Sequence, residues 1–191
     1  MPRMGNFEGF ATITDHYEGV GSTTDYSMYL VINKYFEDFA PIEPLLQLLV
    51  NFGKDLGSSA TVHVPLKGAY AKTRRSVLRR PWSDKLWEEL DREKRLYLLI
   101  TKKPLSQFKP REDEFIILRF AEAATDPAQY VELFGDIARE IERGTDLFKW
   151  RHVKARRKVA GTLLRRLLES IDVKPSVLGI GIDLKTLATG K

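Results

Sequence analysis

The segment Tyr26–Tyr35 constrains the fold more than any other stretch of the chain. In an extended conformation it sets Tyr26, Met28, Leu30 and Ile32 on one side and Ser27, Tyr29, Val31 and Asn33 on the other, with β-formers on both. A strand that is apolar on both faces belongs in the interior of a sheet. Further strands are predicted over Asn6–Thr14, Ala60–Leu66, Arg95–Thr101, Glu114–Phe120 and Val177–Lys185. In Ala60–Leu66 the alternation turns Val62, Val64 and Leu66 inward and Thr61, His63 and Pro65 outward, and the proline marks an edge or the end of the strand. Asp15–Asp25, rich in Gly, Ser, Thr and Asp, reads as a hairpin loop or a flexible connection.

Helical periodicity is clearest in Ile42–Leu56, where apolar residues recur at three- and four-residue spacing before Gly57 stops the run. Ser83 can cap a short helix through Leu90. Asp126-Pro127-Ala128-Gln129 carries an acidic cap, a proline at the first helical position and a capping-box glutamine. The helix it opens should run to about Arg143, burying Tyr130, Leu133, Phe134, Ile137 and Ile141, and end at Gly144. The chain of 191 residues then suits one α+β domain over 1–191, with a long, partly projecting basic helix at 146–171 and a closing strand at 176–185. The order of elements predicts an antiparallel or mixed sheet of about five or six strands with helices on one face. By topology it resembles the ferredoxin-like, split βαβ group, whose members differ widely in function.

Charge is segregated along this chain. Leu66–Arg80 carries six Lys and Arg and no acid; Lys149–Arg166 carries eight, plus His152, and again no acid. The other 158 positions hold 17 basic and 26 acidic residues, so an acidic body carries two basic segments. Like charges crowded in this way repel unless solvent ions, the body's own carboxylates or a partner neutralise them.

Within the first segment, the doublets Arg74-Arg75 and Arg79-Arg80 lie five residues apart, with Lys72 nearby and Tyr70 and Trp82 flanking. Guanidinium forks match phosphate oxygens, so Tyr70–Trp82 reads as a phosphate-tracking loop between a strand and a helix. In the second, charges at Lys149, Arg151, Lys154, Arg156, Arg157 and Lys158 surround the helix, which a helix docked along its length would not tolerate. Trp150 sits among them, where a base or sugar could stack, while Phe148 is expected to pin the helix start to the core. The predicted anion-binding set is therefore Lys72, Arg74, Arg75, Arg79, Arg80, Trp150, Arg151, Lys154, Arg156, Arg157 and Lys158.

Several chemistries drop out. Without cysteine there is no disulfide, thiolate metal site or thiol nucleophile. The longest apolar run is far short of the ~20 residues that span a bilayer, and a cytoplasmic, cofactor-free protein is expected. His16, His63 and His152 have no second histidine at three or four residues' spacing, and no metalloprotease, hydrolase-elbow or P-loop motif occurs. Asp15-His16 could serve acid–base chemistry only if the fold brought a substrate to that loop. Asp15, Glu18, Asp25 and Asp183 would make a metal-dependent nuclease only by converging in space. The expectation is a non-catalytic module that binds nucleic acid through phosphate contacts. Its alternative is an adaptor or self-assembling subunit whose basic helix docks on an acidic protein surface.

Overall fold

The computed structural model describes residues 11–17, 24–32, 42–82, 88, 96–120, 128–148, 172–177 and 180–181. Within them one mixed sheet runs in the order β1-β3-β2-β4-β5-β6-β7. The strands are β1 (Ala11–Thr14), β2 (Tyr26–Val31), β3 (Ala60–Pro65), β4 (Tyr97–Thr101), β5 (Phe115–Arg119), β6 (Asp172–Val177) and β7 (Ile180–Gly181). The helices are α1 (Glu43–Asp55), α2 (Tyr70–Leu78) and α3 (Ala128–Glu142). This is an α+β architecture.

β2 lies inside the sheet, as its two apolar faces require, and every residue of it is buried. It is parallel to β3 on one side and antiparallel to β4 on the other. From β4 onward each neighbouring pair is antiparallel. β1 also runs parallel to β3, so β3 lies between β1 and β2. Asp15–Asp25 therefore does not close a hairpin: the strands it joins are parallel and are not neighbours. β2, α1 and β3 form a βαβ unit whose strands are adjacent, in place of the split unit expected.

The layers follow from strand alternation. On one face Met28, Leu30, Val62, Val64, Leu98, Ile100, Ile116 and Leu118 pack with Leu45, Leu49 and Phe52 of α1 and Tyr130, Phe134 and Ile137 of α3. On the other, Tyr29, Val31, Tyr97, Leu99, Phe115 and Ile117 pack with Tyr17, with Val77 and Leu78 of α2, and with Leu105 and Phe108 from the β4–β5 connection. Helices thus cover both faces, not one. The reason is that the second face of β2, β4 and β5 is as apolar as the first and must also be removed from water.

α3 buries Tyr130, Phe134, Ile137 and Ile141 as its periodicity predicts, and Gly144 follows with φ +68. Of the strand expected at 176–185, Ser176 and Val177 end β6 and Ile180 and Gly181 form the short β7, pairing as Ser176–Gly181 and Val177–Ile180, while 178–179 and 182–185 lie outside the described residues. Phe148 is buried and stacks on Tyr26 at 6.2 Å, so it pins its segment to the core. Asp146 accepts the Phe148 N–H at 3.0 Å and an ion pair from Lys102 at 2.8 Å. The rest of the helix expected at 146–171, and the short one after Ser83 apart from Glu88, lie outside the described residues.

Gly53 sets how closely α1 approaches the sheet. A Cβ there would stand 2.9 Å from the Cβ of Ala11 and 3.2 Å from that of Val62. The helix can therefore lie on β1 and β3 only with a bare backbone at this point. Gly53→Leu is expected to lower stability by about 1–3 kcal/mol through overpacking, read as a fall in the urea midpoint with unchanged slope. An unaltered midpoint would show that this approach is not tight.

Candidate anion-binding site

The basic segment after β3 is a helix, not a loop. No glycine or proline interrupts Ala69–Arg80, and Tyr70, Thr73 and Val77 fall at three- and four-residue spacing on a face that is buried. Tyr70 and Trp82, expected to flank a ligand, belong to the core instead. Trp82 is 3% exposed, donates its indole N–H to the Val77 carbonyl at 3.1 Å and packs on Phe108 and Phe115.

Helical geometry also undoes the arginine doublets. Adjacent helical residues point about 100° apart, so Arg74 and Arg75 diverge, as do Arg79 and Arg80. Lys72, Arg75, Ser76 and Arg79 share one face and, with His16, line an open cavity of about 390 Å³. Arg79 keeps that register because, although just past α2, it has helical backbone angles and donates its N–H to the Arg75 carbonyl at 3.0 Å. Arg74 and Arg80 are half-buried and do not line the cavity; Arg80 is near enough to Tyr29 to act on its phenol electrostatically. Trp150, Arg151, Lys154, Arg156, Arg157 and Lys158 lie outside the described residues.

His16 reaches the cavity because β1 and β3 are parallel neighbours and both end there. The Leu66 N–H donates to the Thr14 carbonyl at 2.7 Å, tying the two strand ends together. The Thr14 hydroxyl donates to the His16 carbonyl at 2.7 Å and accepts the His16 N–H at 3.2 Å, which fixes the turn that carries the ring. One oxygen of Asp15 bonds His16 Nδ1, and the other accepts from Lys72 Nζ at 2.8 Å. The Lys72 bond first, and the His16 bond second, hold the Asp15 carboxyl down at about 2.

The charge around the cavity is therefore uneven. Lys72 is engaged by Asp15, whereas Arg75 and Arg79 make no ion pair among the described residues. Arg75 Nε is occupied by the Ala71 carbonyl at 3.2 Å, which leaves its terminal nitrogens to turn outward. Two guanidinium groups and a partly compensated ammonium on a solvent-open wall favour an anion, and charge-assisted bonds to phosphate or carboxylate are the strong ones. No group of three or more potential metal-binding side chains comes together among the described residues; Glu18 and Asp183 lie outside them. No protein-family model, curated protein or solved structure matches this chain.

His63 contrasts with His16. Expected on an outward position, it is fully buried beneath the second layer, stacked on Tyr29 at 4.6 Å and 13°, with no hydrogen-bond partner at either ring nitrogen among the described residues. Burial lowers its pKa from 6.5 to about 4. The unfolded chain thus binds a proton at this residue more readily than the folded one. Its cost to stability is absent above about pH 6.5, grows as pH falls, and reaches about 3 kcal/mol near pH 4. His63→Phe, which keeps a ring against Tyr29, is expected to remove that part of the slope. Urea unfolding of both proteins at intervals between pH 4 and 7 checks it, and parallel stability curves would refute it.

Proposed function

We propose that the protein binds nucleic acid through phosphate contacts made by the exposed face of α2. The observation that carries this reading is the alignment of Lys72, Arg75 and Arg79 along one wall of an open cavity, with both arginines free of ion pairs among the described residues. Recognition would rest on phosphate and shape, since three of the five residues that line the cavity are cations, Lys72, Arg75 and Arg79. Trp150, Arg151, Lys154, Arg156, Arg157 and Lys158 extend the reading from sequence alone. Among the described residues no helix is long and apolar enough to cross a membrane.

Fluorescence anisotropy with a labelled single-stranded oligonucleotide tests the proposal. Affinity should fall steeply with salt, and Arg75→Glu/Arg79→Glu should weaken binding at least about tenfold while flattening the log–log salt slope by about 1.4, two contacts' worth for a single strand. Equal binding by the reversed variant, or no binding by the parent at about 50 mM salt, would overturn it. Concentration-dependent light scattering without nucleic acid, dispersed by salt, would point instead to the self-assembling adaptor.

A further inference from the structure

The feature that phosphate binding leaves unused is the Asp15–His16 pair, whose histidine lines the same cavity. A carboxylate can only accept, so in the neutral ring Nδ1 carries the hydrogen and Nε2 presents its lone pair. The ring is about half exposed, with 45% of the side chain accessible, and Thr14 holds its backbone from both sides. A fixed imidazole with an open Nε2, beside cations suited to phosphate, is the minimal apparatus for moving a proton next to a phosphodiester.

We infer that this site cleaves RNA, with His16 as general base and Arg75 and Arg79 holding the phosphate. The inference rests on the phosphate-binding reading above. RNA is the substrate class that suits a single base, because its nucleophile, the 2′-hydroxyl, is already tethered beside the phosphorus and needs no separately bound water. His16 Nε2 takes the 2′-hydroxyl proton as the O2′–P bond forms and the P–O5′ bond breaks. The departing O5′ takes a proton from water, and the hydroxide left behind recovers the proton from the imidazolium. The products are a 2′,3′-cyclic phosphate end and a 5′-hydroxyl end. The guanidinium groups stabilise charge gathering on the non-bridging oxygens. Asp15 is a positioning residue: it sets the tautomer of His16 and restrains Lys72.

The test uses a labelled oligouridylate and its all-deoxy counterpart, with EDTA present. The expected result is slow cleavage of the RNA to cyclic-phosphate ends, with the deoxy strand bound and uncut. His16→Ala should lower the cleavage rate at least about 100-fold while leaving affinity for the deoxy strand within about threefold. Asp15→Asn should lower kcat and, by releasing Lys72, leave KM unchanged or smaller, a split that general loosening of the loop would not produce. Intact RNA alongside a bound deoxy strand would overturn the inference and spare the binding reading. Loss of binding to both strands would overturn both. Cleavage undiminished in His16→Ala would also overturn the assignment.

Discussion

The rest of the structure depends on β2 having no polar side. Tyr26–Val31 is buried throughout, so the sheet needs cover above and below, and the chain supplies it in two layers. The same strand is the seam between a parallel half and an antiparallel half. Two hydroxyls drawn into the second layer are met by backbone: that of Tyr29 accepts the Leu105 N–H at 2.8 Å, and that of Tyr17 donates to the Leu30 carbonyl. These bonds fix where the connections cross the sheet, and a buried hydroxyl without them would cost about 1–3 kcal/mol.

The cationic wall is a by-product of that cover. α2 is on the second face because Val77 and Leu78 complete the cluster around Tyr29 and Tyr97, and once those residues turn inward Lys72, Arg75 and Arg79 must turn outward. Burial chooses the orientation, and helical spacing gathers the charges. His63 shows what the same layer exacts from a polar ring that finds no partner.

Much of the sheet was legible from residue pattern. Alternation in Tyr26–Tyr35 located an interior strand, and the periodicity of Ile42–Leu56 and Tyr130–Ile141 located the helices of the first layer. The second layer was missed because its helix is short and its apolar face is thin: Thr73 and Ser76 are buried in α2 by virtue of size, with hydroxyls satisfied by the helix's own carbonyls. A reader weighing Lys and Arg sees a loop there; one counting Tyr70, Thr73 and Val77 sees a helix. His16 as a neighbour of α2 was beyond reach of local pattern. That contact follows from the pairing of Ala11–Thr14 with Val62–Pro65, residues about fifty positions apart in the chain.

The placement of β3 between β1 and β2 has a consequence in time. β1 and β2 are made first and never hydrogen-bond to each other, so neither can settle until the strand that separates them emerges. Closing those long chain intervals is the slow part of building such a topology. During synthesis the N-terminal third therefore waits, with two sticky edges unpaired, for Ala60–Pro65 to bring them into register. The cavity at the strand ends cannot come into being before that pairing does.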